Sequence, residues 1–428
     1  MEKRLYPQLG ETVYWDVLPN GLTLAVVPRP GFTKKLAYFV TDFGSIHTKF
    51  QLEGESRQVQ DGIAHFLEHK LFDLPDRDVS EEFAALGASP NAFTSYDLTA
   101  YYFGCTEHFE ESLALLLEFV STPYFTEQTV EKEQGIIGQE IDMNRDNPDS
   151  RAFELLAEAM YGRHPIRVPI LGTRESLAGI TPAQLQLCHQ AFYRPGNMLL
   201  CVAGDVDPER VRAIALQQLP AQDRPAAQVA EDWEEPVQTL QPFVSAHMEV
   251  AMPMFQLGFK CEPTGRGTDA IRQEIIGQLA AEALLGESSQ LYLELYQQGL
   301  IDGSFGGGFE SIQGMAMLSA GGDSDEPEAV RDAILAHARR LVRDGLDPAD
   351  FLRMKRSALG QRIRALDSFD ALCFRLCAYH FAAFDYLRFP EIYAQITEND
   401  VLEFLQRVVQ PERMSLCVIY PNQEEETQ

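Results

Sequence analysis

Short apolar runs that alternate with polar residues open the chain's readable pattern. Asn20–Pro28 and Lys35–Phe43 each read as a strand. Gly44–Asp61 is polar and aperiodic and reads as a loop. Helical spacing then carries residues 62–72 and Val79–Leu86, and two strand-like runs follow at Asn91–Ser95 and Thr99–Gly104. From Glu107 to about Ala191 the pattern is helical. One segment within it, Thr126–Asn147, opens on a good N-cap and stops before Pro148, which a helix rarely passes. A strand at Met198–Ala203 and a helix after Pro208 close this half. Residues 221–242 hold Pro225, Pro236 and Pro242 among polar residues without periodicity, the composition of a linker.

The second half repeats the order. Val250–Cys261 is strand-like, about Asp269–Leu285 and Ser288–Gln298 are helical, and Ser304–Glu310 and Met315–Ala320 are strands. Helical spacing covers Pro327–Val409, and Met414–Tyr420 is the closing strand. The closing strands align directly: Arg194-Pro195-Gly196-Asn197-Met198-Leu199-Leu200-Cys201-Val202 beside Gln410-Pro411-Glu412-Arg413-Met414-Ser415-Leu416-Cys417-Val418. A period of about 216 residues fits two copies of one domain rather than a solenoid. Strands first and helices grouped afterwards predict an α+β class: two tandem homologous domains, each a mainly antiparallel sheet covered on one face by helices. The expected boundaries are 1–220, a linker at 221–244, and 245–428.

Chemistry concentrates in one place. His65-Phe66-Leu67-Glu68-His69 is an H-x-x-E-H array. On a helix, His65 and His69 fall one turn apart on one face and can share a metal ion, with Glu68 beside them to act on a water. Chance alone produces such a pentad in roughly one chain of this length in a hundred. A zinc site needs a third protein ligand and an open position. The helix predicted over Thr126–Asn147 offers Glu133 and Glu140, two turns apart on one face. Glu140 can be the third ligand, and Glu133 a carboxylate that orients a ligand or the water. Exposed acidic pairs are also commonplace on helices. At the repeat position of the pentad, Leu279-Ala280-Ala281-Glu282-Ala283-Leu284-Leu285 has no histidine, so metal chemistry belongs to the first half alone.

With these residues in view, the chain resembles the insulinase, pitrilysin and mitochondrial processing peptidase family. The resemblance rests on GIAHFLEHKLF (62–72), GASPNAFTSYDLTAYYF (87–103), YGRHPIRVPILGT (161–173), Tyr193-Arg194-Pro195-Gly196-Asn197-Met198, Val202-Ala203-Gly204-Asp205-Val206 and the spacing His65…Glu68-His69…Glu133…Glu140. It is close over residues 20–220 and fainter over 245–420, and the length is similar to the short bacterial members. It implies Zn²⁺ held by His65, His69 and Glu140, with Glu68 as general base and Glu133 as a supporting carboxylate. Asn91-Ala92-Phe93-Thr94 can supply an edge strand for an extended substrate; the resemblance implies that this strand binds substrate, Asn91, Ala92 and Phe93 among its residues, with backbone at Asn91 and Ala92 near the scissile bond. Asn91 can equally be an ordinary strand start after Pro90. Phe72 can line the pocket or simply pack in the core.

One departure stands out. Active relatives carry an arginine and, about seven residues later, a tyrosine in the second domain; the matching positions here are Tyr296 and Asp302. Three readings follow: an active zinc endopeptidase acting on short unfolded peptides, a zinc-binding but weakly active subunit of a heterodimeric peptide-processing or modification complex, and a scaffold. Keeping Glu68 beside a full ligand set argues against the scaffold. The departure favours a dimer, homo- or hetero-, and preferentially a heterodimer with a related chain that lacks the pentad.

Bulk properties add limits. The net charge of −29 argues against nucleic acid and anionic membrane surfaces as partners. It suits basic or neutral peptides, or simply keeps the protein in solution. The N-terminal Met1-Glu2-Lys3-Arg4-Leu5-Tyr6-Pro7 lacks the apolar core of a secretory signal, and no run reaches the length of a membrane span. The seven cysteines are scattered without C-x-x-C pairs and read as reduced thiols in a cytoplasm. Other histidines, His164 included, are expected to be structural or solvated, and Lys70 to point away from the metal.

Overall fold

The computed structural model describes residues 1–75 and 77–422; the end of the expected second domain, residues 423–428, lies outside them. The chain forms two compact units. The first comprises Met1–Ile141, Pro169–Ala230 and Ile363–Arg388. Its strands are β1 (Glu2–Tyr6), β2 (Glu11–Val17), β3 (Thr23–Pro28), β4 (Lys35–Thr41), β5 (Ser89–Thr94), β6 (Thr99–Cys105) and β7 (Met198–Gly204). They form a seven-stranded sheet ordered β1-β2-β3-β7-β4-β6-β5, antiparallel except where β3 meets β7.

Its helices include α1 (Ile63–Leu71), α2 (Val79–Ala85), α3 (Phe109–Ser121), the first part of α4 (Glu127–Arg145), a helix at Pro182–Phe192 and one at Pro208–Gln218. β7 lies mid-sheet and is buried along its whole length, which is why Leu199-Leu200-Cys201-Val202-Ala203 is continuously apolar rather than alternating. Leu200 and Val202 enter the core shared with α1 and α3. Cys201 points to the other face, where it meets Cys373 and Cys377.

The second unit comprises Asp142–Val168, Glu231–Arg362 and Phe389–Gln428. Its sheet of five strands is ordered β8-β12-β9-β11-β10, from β8 (Phe243–Met248), β9 (Met254–Lys260), β10 (Gly306–Ile312), β11 (Met315–Asp323) and β12 (Met414–Pro421). β8 and β12 are parallel and the remaining pairs antiparallel. This is the β3-β7-β4-β6-β5 portion of the first sheet again, so the repeat seen in the closing strands extends through the topology.

The sequence halves and the compact units differ in two segments. Helix α5 (Pro148–Met160), from the first half, packs on β8, β9 and β12 of the second unit, burying Ala152, Leu156 and Met160. A helix from the second half, α6 (Phe369–Phe381), packs on β4 and β7 of the first unit through Leu372, Cys373, Leu376 and Cys377.

Three expectations need correction. β1 and β2 precede the first predicted strand. The stretch read as a loop, Gly44–Asp61, contains a hairpin of Lys49–Leu52 with Glu55–Gln58. The expected linker is anchored: Gln228–Val229 pairs with Phe50 and Gln51, and Trp233 is buried. Within the second unit, Glu235 accepts hydrogen bonds from the backbone N–H groups of Gly162, Arg163 and His164 at 2.8, 3.2 and 2.9 Å. It also pairs with the buried Lys260 Nζ at 2.8 Å. Removing one partner of a buried, hydrogen-bonded ion pair leaves the other charge uncompensated. Glu235→Ala is therefore expected to cost about 3–5 kcal/mol, read as a lower denaturation midpoint in urea.

Candidate metal centre

The pentad helix is placed by a close backbone approach. Gly62, at the N-cap of α1, has φ of 86°, and a Cβ there would lie 2.4 Å from the Leu171 carbonyl oxygen. Gly172 faces Asp61 in the same manner, with φ of 71° and a 2.6 Å approach. Only glycine allows such contacts. They fix where the first turn of α1 begins, and so the direction in which residues 65 and 69 project. Ile63, Phe66, Leu67 and Leu71 bury the opposite side. The facing helix, α4, starts at a cap where Thr126 Oγ1 accepts the Thr129 N–H at 3.2 Å. Asn147 then caps α5, with Pro148 in its first turn.

These two helices bring His65, His69 and Glu140 together, with one donor atom of each lying within 4.8 Å of the others. His65 Nε2 is 3.7 Å from Glu140 Oε1 and His69 Nε2 is 3.8 Å from Oε2. Tetrahedral zinc with bonds of about 2.0–2.1 Å spaces its ligands about 3.3 Å apart, so the triad needs only a small contraction. His69 Nδ1 donates to Glu133 Oε1 at 2.9 Å, which leaves Nε2 as the free lone pair. Among the described residues no hydrogen-bond partner is found for the buried Nδ1 of His65, so packing holds that ring.

Burial, helped by the charge of His69, pushes the His65 pKa down to about 3, so the ring is neutral and able to ligate. For His69 burial works against the charged form, but the Glu133 hydrogen bond and the charges of Glu133, Glu68 and Glu140 outweigh it and raise its pKa. Burial raises the Glu68 carboxyl above its ordinary value, against the opposing hydrogen bond from Thr94. That moves it toward the range in which a carboxylate accepts a proton well at neutral pH.

A pocket of about 340 Å³ is lined by Glu68, His69, Phe72, Ser80, Pro90, Asn91, Ala92 and Glu133. It joins part of the triad to the edge of the sheet, since among the described residues β5 pairs only with β6. Ser95 N–H bonds the Leu98 carbonyl, so residues 93 and 91 also face β6, while Ala92 and Thr94 turn their main-chain groups outward. The Ala92 N–H is held by Asn91 Oδ1 at 2.9 Å.

Phe93 is placed differently from Ala92 and Thr94. Its ring lies on the opposite face against Phe374 and Tyr102, and its main chain is used by β6. Phe72 lines the pocket and packs on Phe119, with ring centroids 4.9 Å apart. His164 bonds the Gln313 carbonyl and Ile166 N–H, and Lys70 is fully buried with Asp73 as partner. The sequence reading placed Thr94 on the substrate strand but missed its side-chain contact: Oγ1 donates to Glu68 Oε2 at 2.6 Å. The period-2 alternation that sets Ala92 and Thr94 on the face of α1 was the available signal.

Tandem α+β units, one of them holding a His-His-Glu triad beside a free strand edge, describe a known class of fold. The family described as Insulinase (Peptidase family M16) matches residues 55–174, and that described as Peptidase M16 inactive domain matches 179–358. The uncharacterized zinc protease YmfH of Bacillus subtilis is 38% identical over 424 residues, covering 97% of this chain and 98% of that protein. An M16-like peptidase from Alicyclobacillus acidocaldarius has a TM-score of 0.92 at 32% identity, over 96% of this chain and 98% of that one. The periplasmic protease PqqL from Escherichia coli shares the fold at 19% identity, with a TM-score of 0.74 over 99% of this chain and 48% of that one. The chain belongs to the insulinase family, peptidase family M16. No helix among the described residues is long and apolar enough to cross a membrane.

Proposed function

We propose that the chain is a zinc-dependent endopeptidase that hydrolyses short unfolded peptides, with Glu68 as general base. The observation that carries this reading is the buried Glu68 carboxylate, set between a convergent His65–His69–Glu140 triad and the free edge of β5. His65, His69 and Glu140 would hold zinc, and Glu133 fixes the His69 tautomer. Zinc there supplies Lewis acidity, making water nucleophilic near neutral pH and polarising the scissile carbonyl.

Glu68 takes a proton from the attacking water and returns it to the leaving amine. The outward main-chain groups of Ala92 and Thr94 receive an extended peptide as an added strand, once Asn91 Oδ1 releases the Ala92 N–H. Phe72 and Pro90 give the pocket apolar walls. A substrate that must lie extended along an edge is an unfolded one. A cytoplasmic location is part of this proposal, supported by seven free, buried cysteines. So is a dimeric working form, preferentially a heterodimer with a pentad-lacking relative.

A second reading, a zinc-binding but weakly active subunit, draws support from one position. Asp302 stands where active relatives carry a tyrosine, and its exposed carboxylate accepts from Ser304 N–H and Oγ at 2.8 and 2.6 Å. Elemental analysis after purification without chelator, joined to peptide digestion, tests the main proposal. One zinc per chain is expected, with short unstructured peptides cut and stable globular proteins spared. A chain that takes up no zinc on titration, or that cuts a folded protein efficiently, overturns it.

A further inference from the structure

We propose that Thr94 is a positioning residue whose side chain, carried on the strand that receives substrate, sets the direction of the Glu68 carboxylate. The inference rests on the peptidase reading and deepens it. Thr94 Oγ1 donates to Glu68 Oε2 at 2.6 Å, the length of a charge-assisted bond. With Oε2 engaged, Oε1 is left to accept a proton. Glu68 is buried, so protein groups rather than bulk water set its orientation.

The location adds a second consequence. Ala92 and Thr94 lie two residues apart on one strand, so they share a face and an edge. Ala92 offers its main chain to the pocket, and Thr94 holds the base. β5 is paired on one side only, so a peptide that docks on its edge acts on the element that aims Glu68. Docking of substrate and alignment of the base are thereby mechanically linked, and a peptide seated out of register would meet a misdirected carboxylate. A merely structural threonine would satisfy a buried oxygen and affect stability, with no selective effect on turnover.

The test compares Thr94→Val, which keeps the shape and the backbone N–H, with Thr94→Ser, which keeps the hydroxyl. With a short unstructured peptide, Thr94→Val is expected to lower kcat by roughly 10- to 100-fold, with KM within about twofold and zinc content unchanged. Thr94→Ser is expected to restore kcat to within about threefold. Wild-type kcat in Thr94→Val, or a Thr94→Ser variant no better than Thr94→Val, overturns the proposal. Glu68→Gln is run alongside: a wild-type chain that Glu68→Gln matches in rate defeats the peptidase reading itself. Crystal structures then decide the positioning role independently of activity. The Glu68 carboxylate should leave its wild-type direction in Thr94→Val and keep it in Thr94→Ser; an unchanged direction in Thr94→Val overturns the role.

Discussion

Glu68→Gln is expected to keep its metal and to lose peptide hydrolysis by about 10²- to 10⁴-fold. The amide has the shape of the carboxylate, and its oxygen can still accept from Thr94 Oγ1, so the pocket wall should not move. Glu68 is not one of the three convergent donors, so zinc content should match the wild type. What the amide cannot do is take a proton from water. Zinc analysis and initial rates on one peptide, measured on the same preparations, separate the two effects. A variant that retains turnover would remove Glu68 from the base role. One that loses both zinc and turnover would make Glu68 part of the ligand set.

Co-expression with a related chain that lacks H-x-x-E-H, but carries the arginine and tyrosine of active relatives, should raise turnover by about a hundredfold or more. The reasoning starts from what this chain presents at those positions. Tyr296 is 55% exposed near the end of a short helix, Gln290–Gln297. Asp302 is exposed, and its hydrogen bonds from Ser304 hold its carboxyl below the usual carboxylate range, so it stays charged. A carboxylate near a developing oxyanion is repelled most strongly where water is scarce, whereas an arginine or tyrosine stabilises it. Size-exclusion chromatography with a peptidase assay on each fraction reads the outcome. Full activity from this chain alone, unchanged by the related chain, would rule the heterodimer out.

The parts of the site governed by a short period were legible in the sequence. Two histidines four apart and two glutamates seven apart land on single helix faces whatever surrounds them, and the structure faces those helices across one pocket. The strand positions were less legible, because a strand shows its period but not which face is which. Phe93 was named only as part of the substrate-binding strand, and the register sets its ring against Phe374. The same ambiguity hid the bond from Thr94 to Glu68. β2 escaped because one of its inward positions is charged: Glu11 is buried against Arg29, bidentate at 2.7 and 2.8 Å, where the pattern calls for an apolar residue. The hairpin in residues 49–58 is largely exposed and lacked the apolar face that marks a strand. Nothing local could announce which sheet α5 or α6 covers, since an apolar stripe says only that a helix is covered.

That crossing of α5 and α6 bears on how such a protein can be cut, shuffled and inherited. A gene truncated at the linker would encode a first sheet with Cys201 and Tyr38 stripped of the helix that shelters them, and a second sheet lacking the Met160 side chain that lies over Gly258. Each product would be a half-roofed sheet prone to aggregate, not a spare module. The second copy is therefore not dispensable cargo beside the first. With each sheet covered in part by a helix from the other half of the chain, neither copy can be deleted or transplanted singly.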